Sequence, residues 1–442
     1  MRTVLSRPHL QVQAKKAGFV HRSSKLTGAL FFDMLLYCSS LQEGVSLSRM
    51  AIFIEEHFGI PISKQSLFER FNASCVEFVK AVLKEILEEK FAAIPLYQGS
   101  FWDSFHHVRI KDSTKFKIPD MLQEHYKGNG GSLAGISIQY EFDLKTGKVL
   151  DLTIYSGDRN DRSDAGATQL NVEEGDLIIC DLGYYSLDVF QTFIDKHSYF
   201  LSRYYTRTSV FYKDGSRICF QKLYADMKKK GMRQQEIEVY LGNEHRLPVR
   251  MLLIPVCDQV YEKRVRDRKK AQKKRGGQMS AEMCACYHFT IFITNVPGES
   301  LPAEMIYPVY KLRWQIELMF KQWKSLFCIH KTGKMKEERY LCLLYAKLIL
   351  IVINLQITYR IQKVIGITGT DGKIRLLSFN KALHTLIRYF NRLYCIIRAQ
   401  KRMAREALVS LFEILSKNHF LERKKNKEGF CKLIELFLCV SV

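Results

Sequence analysis

The hydrophobic residues change their period along this chain, which divides it into helical, stranded and again helical regions. Residues 1–98 follow the 3.6-residue period of amphipathic helices. Ser46 precedes one such helix, which Gly59 and Pro61 end, and Ser63 precedes a second. Two short helices around a turn are typical of a helix-turn-helix DNA reader and equally of a plain helical bundle, so both interpretations stay open.

From residue 99 the pattern indicates β-strands. We expect strands at Phe105–Lys111, Ile136–Phe142, Val149–Tyr155, Leu177–Cys180, Tyr199–Arg203, Glu236–Leu241, Val249–Val256 and His288–Thr294. The second and third should form a hairpin about Lys145-Thr146-Gly147. A short helix is expected near Ala165–Gln169, and Ser186 should cap another.

The pattern is helical again from about residue 336 to the end, with Ser378 as an expected cap. Its most apolar stretch, Leu341–Ile353, contains Lys347 and is too short to span a bilayer, so it predicts a buried helix and no membrane partner. These changes of pattern predict five regions. They are 1–98, 99–205, 206–286, 287–360 and 361–442.

Basic residues outnumber acidic ones over the 442 residues. Lys plus Arg number 68 against 45 for Asp plus Glu, a net charge of +23. This surplus favours nucleic acid as a partner over a merely solubilising surface, which mixes both signs more evenly. The run Lys263–Arg275 predicts a loop, either solvated or in contact with phosphates, and Lys269 and Lys270 are our candidate DNA contacts there.

The 12 cysteines are scattered, and no secretory segment is evident at the start. Reduced thiols in a cytoplasmic protein are therefore expected. Cys284, Cys286 and His288 alternate and could share one face of a strand. A zinc site needs a fourth ligand, and no second matched pair follows, so a packed strand is the favoured interpretation.

A group of four polar residues carries the clearest chemistry: Tyr310, Arg313, Glu317 and Lys324. On one continuous helix, at about 100° per residue, they fall within about 60° of one another. The opposite side carries Leu312, Ile316, Met319, Trp323 and Leu326. We therefore expect one face for the core and one face on which a carboxylate is surrounded by phosphate-binding groups.

Two further acids, Asp112 and Asp181, each end a predicted strand. Strand ends that face a helix are where open α/β sheets place ligands. Together with Glu317 they could hold two divalent cations about 4 Å apart, and Mg²⁺ suits oxygen ligands. An Asp after a strand is by itself more often a turn former, so the combination carries the hypothesis. Three further acids are interpreted as surface or turn residues: Asp103, Asp120 and Asp176.

These motifs resemble the DDE transposases of bacterial insertion sequences, in the branch with a Tyr-Arg-Glu-Lys signature. Asp112 in Lys-Asp-Ser-Thr matches the first acid of the family, and Asp181 in Cys-Asp-Leu-Gly-Tyr matches the second. Tyr310, Arg313, Glu317 and Lys324 match the signature with unchanged spacing. The resemblance covers roughly residues 100 to 350.

The resemblance implies a ribonuclease-H-like α/β core, interrupted after its fifth strand by a mainly β insertion at residues 206–286 and flanked by helical regions. It implies Asp112, Asp181 and Glu317 as catalytic metal ligands. It also implies that Tyr310, Arg313 and Lys324 contact phosphates at the transposon end. Members act as dimers on paired double-stranded ends and move DNA by cut-and-paste.

The leading hypothesis is therefore a transposase dependent on two Mg²⁺ ions, with Mn²⁺ as a substitute, acting in the bacterial cytoplasm and associated with the nucleoid. Water would cut one strand at the end of the element, and the freed 3′-hydroxyl would attack a second phosphodiester. Two alternatives stay open. One is a DNA-binding derivative that no longer cuts, and the other is a ribonuclease-H-like nuclease that cuts without joining.

Overall fold

The chain divides into two units in a computed structural model. The helical unit comprises Met1–Tyr97, Ser113–Arg159 and the described residues from Glu317 onwards, and the sheet unit comprises Gln98–Asp112 and Asn160–Ile316. The residues that the structure describes are 3–41, 45–88, 100–160, 166, 171–273, 280–365, 375–389, 394, 398 and 401–421.

The described residues form helices and nine strands. The helices are α1 (Arg7–Lys16), α2 (Gly28–Ser40), α3 (Leu47–Phe58), α4 (Lys64–Arg70), α5 (Ala73–Glu88), α6 (Ser100–Asp103), α7 (Leu187–Asp195), α8 (Phe220–Lys229), α9 (Asp258–Lys273), α10 (Ala281–Cys286), α11 (Ala303–Lys311), α12 (Trp314–Ser325), α13 (Glu337–Ile365), α14 (Phe379–Arg388) and α15 (Lys401–Asn418). The strands are β1 (Val108–Lys117), β2 (Gly135–Asp143), β3 (Val149–Ser156), β4 (Leu177–Cys180), β5 (Tyr199–Arg203), β6 (Val210–Phe211), β7 (Gln235–Leu241), β8 (Leu247–Pro255) and β9 (Phe289–Thr294).

The predicted helix starts are confirmed where a serine caps the helix. Ser46 Oγ accepts a hydrogen bond from Arg49 N (3.2 Å) before α3, and Ser63 Oγ accepts one from Ser66 N (3.1 Å) before α4. Ser378 likewise caps α14. Ser186 precedes α7, but its side chain makes no capping hydrogen bond. The predicted helix near Ala165–Gln169 lies largely outside the described residues.

The long helix α13 lies at the centre of the helical unit and packs on α2, α5 and α14. Its residues are apolar on all sides, as expected for a helix buried all round. The stretch Leu341–Ile353 belongs to a longer helix than the sequence predicted, and the 29 residues of α13 are enough, by length and composition, to cross a membrane. The predicted burial is confirmed, since 72% of its most apolar window is buried.

The hairpin in the helical unit forms as predicted. Strands β2 and β3 pair antiparallel with Ile136 opposite Ser156, and the unit's strand order is β3-β2-β1. Buried Asp143 closes the turn by accepting a hydrogen bond from Lys145 N (3.0 Å). On the face of β2, Tyr140 meets the indole of Trp323 edge-on, at 4.9 Å between ring centroids, which positions α12 in this unit.

The sheet unit contains the strand order β1-β4-β5-β9-β8-β7-β6. Strands β1, β4 and β5 run parallel, and each later neighbour is antiparallel. Parallel strands buried on both faces are continuously apolar, and all four residues of Leu177–Cys180 are buried. The first predicted strand, Phe105–Lys111, is shifted, because the observed strand is Val108–Lys117.

The segment 206–286 differs from the mainly β insertion that the resemblance implied. Its described residues contain the strands β6, β7 and β8 and also the helices α8, α9 and α10. The segment is therefore mixed α/β. The expectation was wrong because the basic run and the Cys-containing run both fold as helices.

Candidate active site

Asp181 directly follows Cys180, the last residue of the buried strand β4. Its backbone is extended (φ −81°, ψ 162°), and its carbonyl accepts a hydrogen bond from Tyr184 N (3.0 Å), which starts a 3₁₀ turn. The side chain is 40% exposed, so the carboxylate reaches solvent from the rim of an apolar sheet. This is the position that the sequence predicted.

Asp112 lies inside β1 instead of ending it, which corrects the sequence prediction. The parallel pairing of β1 with β4 ends at Ile110, which lies opposite Ile179. Two more residues in the same register bring Asp112 to the level of Asp181, because parallel strands advance equally per residue. The side chain of Asp112 is 20% exposed. The two acids therefore leave neighbouring strands at the same edge of the sheet unit.

Arg313 contacts both acids. Its Nη1 lies 3.6 Å from Asp112 Oδ2, and its Nε lies 3.9 Å from Asp181 Oδ1. The guanidinium is only 15% exposed, so water screens these interactions less than at the open surface. Arg313 therefore holds positive charge at the point where two carboxylates converge.

Tyr310 completes this group in the sheet unit. Its hydroxyl donates a long hydrogen bond of 3.5 Å to Asp181 Oδ1, and its ring packs on Phe292 of β9. Burial raises the pKa of the Tyr310 hydroxyl, and the negative charge of Asp181 raises it further. The hydroxyl therefore stays protonated and can act as a hydrogen-bond donor.

The four-residue signature lies on two helices, where the sequence predicted one. Pro308 lies inside α11, which also carries Tyr310, and α12 begins at Trp314. Arg313 N donates to Tyr310 O (3.1 Å), and Ile316 N donates to Arg313 O (3.2 Å). These i to i+3 bonds form a 3₁₀-type turn between the helices.

The apolar side of the signature is buried as predicted. The residues Leu312, Ile316, Met319, Trp323 and Leu326 are each at most 8% exposed. Glu317 is half-buried on α12 and belongs to the helical unit. Lys324, also in that unit, donates to Lys115 O (3.4 Å), and burial lowers the pKa of its ammonium group.

The described part of the basic run, up to Lys273, is helical, which corrects the expectation of a loop. Helix α9 spans Asp258–Lys273, and Arg264 anchors it by donating to Phe289 O (2.7 Å). Lys269 and Lys270 are exposed on this helix. Helix α9 contains no Gly or Pro, so it can hold several cationic side chains at a fixed spacing. A loop would not fix the distances between these side chains.

The alternating Cys284, Cys286 and His288 do not share a strand. Both cysteines belong to α10, and His288 comes before β9. The imidazole of His288 is stacked between Tyr224 (3.9 Å) and Tyr261 (3.8 Å). The preference for packing over zinc agrees with this arrangement, but the predicted strand was wrong because the run begins at a serine-capped helix.

Asp176 is fully buried, so it is not a surface residue, but it does end a turn, because its amide donates a hydrogen bond to Glu173 O (3.2 Å). Its Oδ2 accepts a hydrogen bond from Nη1 of buried Arg109 (2.7 Å). Asp103 and Asp120 are exposed, as expected. The available signal was an acid directly before an apolar strand together with an arginine inside another.

The sequence matches a known protein family over more than half of its length. Residues 103–355 match the family model described as the transposase DDE domain. The chain belongs to the DDE transposases of bacterial insertion sequences. It is 32% identical over 443 residues to the IS231E transposase of Bacillus thuringiensis subsp. finitimus, covering 94% of this chain and 90% of that relative. It is 27% identical over 447 residues to the IS1151 transposase of Clostridium perfringens, covering 96% and 93%.

A solved structure is similar at a lower level. The synaptic complex of piggyBac transposase with hairpin DNA has a TM-score of 0.44 and 10% sequence identity, covering 97% of this chain and 86% of that chain. Family membership makes this transposase an enzyme of the DDE polynucleotidyl-transferase type that acts on DNA and depends on divalent metal ions. The inactive derivative and the non-joining nuclease are therefore not favoured.

Proposed function

We propose that Asp112, Asp181 and Glu317 are the catalytic acids of this transposase and hold two Mg²⁺ ions, which Mn²⁺ can replace. The observation that carries the proposal is the convergence of Asp112 and Asp181 on one guanidinium, that of Arg313. Carboxylate oxygens are the donors that Mg²⁺ prefers, so the residues fit the metal. Glu317 is assigned as the third acid because its spacing from Tyr310 and Arg313 matches the signature. Bound ions would lower the pKa of the attacking hydroxyl and stabilise the leaving oxygen.

The protein's own cations and hydroxyl would hold the DNA. Arg313 can grip a phosphate with two parallel hydrogen bonds, whereas Lys324 offers a point charge. Tyr310 stays protonated, and its hydroxyl donates a hydrogen bond to Asp181 Oδ1. Positioning and charge stabilisation account for most of the rate of phosphoryl transfer, so these contacts matter for catalysis as well as for affinity.

The reaction we propose is cut-and-paste transposition on double-stranded DNA. Water attacks a phosphodiester at the element's end, forming one P–O bond and breaking another, and leaves a free 3′-hydroxyl. That hydroxyl then attacks a phosphodiester of the target and displaces its 3′-oxygen. We propose that a homodimer carries out both steps on paired ends, in the cytoplasm and at the nucleoid. Lys269 and Lys270 would contact backbone phosphates.

The catalytic core would be ribonuclease-H-like. Strands β1 to β5 precede the segment 206–286, and β1, β4 and β5 are parallel, which supports this core with an insertion after its fifth strand. The proposed regions are 1–98, 99–205, 206–286, 287–360 and 361–442.

The test uses the full-length protein and labelled duplexes that carry the ends of its own element. Asp112→Asn, Asp181→Asn and Glu317→Gln should each bind the duplex like the parent and lose Mg²⁺-dependent nicking by at least about a hundredfold. Glu304→Gln, at an exposed position of α11, is the matched control and should cut normally. Nicking retained by one of the acid variants would remove that residue from the site.

A second arm separates transposition from simple cleavage. A duplex with a pre-cut 3′ end should be joined to a supercoiled plasmid by the parent protein. Cleavage without joining would favour a nuclease, and binding without nicking in Mg²⁺ or Mn²⁺ would favour an inactive derivative.

A further inference from the structure

Two histidines and one acid meet at the starts of β1 and β4. His106 and His107 directly precede Val108, and Asp176 directly precedes Leu177. One ligand atom from each of His106, His107 and Asp176 lies within 4.8 Å of the other two. All three belong to the sheet unit.

The backbone fixes this arrangement. His106 N donates to Gly175 O (2.9 Å), and Leu177 N donates to His107 O (2.9 Å), so the two segments are joined before the strand pairing begins. The two imidazole rings lie 4.2 Å apart between centroids, at an angle of 40°. Adjacent residues of a strand would point to opposite faces, so both rings can share one side only because the bend precedes β1.

Asp176 is held in one orientation. Its Oδ2 accepts hydrogen bonds from Arg109 Nη1 (2.7 Å) and Glu173 N (3.0 Å). Its other oxygen, Oδ1, is buried and accepts no hydrogen bond from the residues that the structure describes. That atom lies 3.4 Å from His106 Nδ1. A buried carboxylate oxygen without a donor carries a cost that a cation can relieve.

The distance between two of the ligand atoms suits a tetrahedral ion. With Zn–N and Zn–O bonds of about 2.0–2.1 Å, neighbouring ligands lie about 3.3 Å apart, close to the 3.4 Å between His106 Nδ1 and Asp176 Oδ1. His106 is 51% exposed and Glu173 67% exposed, so either can adjust. Glu173 Oε2 also lies 3.4 Å from His106 Nδ1, so this side chain or water could supply a fourth ligand.

We propose that His106, His107 and Asp176 bind a Zn²⁺-type transition metal ion, separate from the catalytic acids. The site lies at the opposite end of the β1–β4 strand pair from Asp112, four strand residues or about 13 Å from Val108 to Asp112. Imidazole with carboxylate favours Zn²⁺ over Mg²⁺, which prefers oxygen alone. The ion ties the start of β1 to the start of β4. Arg109 donates to the other oxygen of the ligating carboxylate, Asp176 Oδ2, and so fixes the orientation of that ligand.

The test uses the full-length triple variant Asp112→Asn/Asp181→Asn/Glu317→Gln, in which the proposed catalytic acids are neutral. Co²⁺ is the spectroscopic probe, and Zn²⁺ is titrated by calorimetry. We expect one ion per chain and visible Co²⁺ bands of tetrahedral intensity that Zn²⁺ abolishes. If the bands need the intact catalytic acids, the ion belongs to those acids and the proposal is overturned.

His106→Gln and His107→Gln, each added to the triple variant, should remove the Co²⁺ bands and weaken Zn²⁺ binding at least about a hundredfold. His125→Gln, at a histidine that is 60% exposed in the helical unit, is the matched control and should bind normally. Unchanged bands in both histidine variants would show that the ion lies elsewhere.

Thermal unfolding gives an independent readout. Saturating Zn²⁺ should raise the Tm of the triple variant and of the His125→Gln control by about 5 °C, because an ion that binds only the folded state stabilises it. The two histidine variants should fold, by circular dichroism, and show no such rise. An equal rise in all four proteins would contradict the site.

Discussion

Nη1 of Arg313 lies 3.6 Å from Oδ2 of Asp112. The same guanidinium places Nε 3.9 Å from Asp181 Oδ1, so one rigid fork serves two carboxylates. A lysine has the charge but only a single donor centre, and it cannot reproduce both contacts or a bidentate phosphate grip. We expect Arg313→Lys to cut at least about tenfold more slowly than the parent while binding DNA. Arg402→Lys, at a side chain that is 92% exposed, is the control. Full nicking activity in Arg313→Lys would contradict this role.

Removing the Tyr310 hydroxyl should slow cleavage and leave folding intact. A hydrogen bond to a charged acceptor contributes about 1.5 kcal/mol, so Tyr310→Phe should cut about tenfold more slowly at saturating DNA. Since the pKa of Tyr310 is raised by burial, the parent-to-variant ratio should stay constant from pH 7 to 9. Tyr307→Phe, on the same helix with a 42% exposed ring, should cut like the parent. A ratio that collapses toward pH 9 would show that Tyr310 ionises in this range.

Neutralising two cations of α9 should weaken DNA binding in a salt-dependent way. For Lys269→Gln/Lys270→Gln, the slope of log K against log salt should fall in magnitude by about 1.8, because each phosphate contact contributes about 0.9. Lys228→Gln/Lys229→Gln, an equally charged exposed pair on α8, tests for a general charge effect. Equal loss in both pairs, measured by fluorescence anisotropy, would remove the special role of α9.

Asp176 should be a strong determinant of stability. Asp176→Ala leaves the Arg109 guanidinium, 2% exposed, without its carboxylate, and loss of one partner of a buried pair costs about 3–5 kcal/mol. Asp120→Ala, at a side chain that is 51% exposed, should change the free energy of unfolding by less than about 0.5 kcal/mol. Urea unfolding with a chelator present measures both. A small effect at Asp176 would mean that water solvates Arg109 in the variant.

Alkaline pH should destabilise the protein through buried tyrosines. Burial raises the pKa of Tyr185 to about 12, whereas the same group in the unfolded chain titrates near 10. Its contribution to stability is therefore fully present below pH 10 and is lost as the pH rises toward 12. The slope is about 1.4 kcal/mol per pH unit. Tyr185→Phe should make the pH dependence of urea unfolding shallower by this amount, and Tyr389→Phe, 43% exposed, should not. Identical slopes in both variants would contradict the assignment.

Local patterns in the sequence were sufficient for most elements. Ser46, Ser63 and Ser378 mark helix starts because a side-chain oxygen satisfies an amide only a few residues away. The hairpin about Lys145 and the strand Leu177–Cys180 also follow from short-range patterns of burial. The spacing of three residues between Tyr310 and Arg313 likewise predicted that the two side chains lie close together.

The sequence by itself determined most of the helices and strands, although not the helices α9 and α10. It also determined which side of the signature is buried and that Asp181 follows the end of a strand. Only the tertiary structure decided that Arg109 and Asp176 pair across 67 residues, that His106 and His107 join them, and that α11 and α12 are separate helices. The physical reason is range. Caps and periodicity depend on neighbours within a few residues, whereas strand register and buried charge pairs depend on packing between distant segments, whose energies no local pattern encodes.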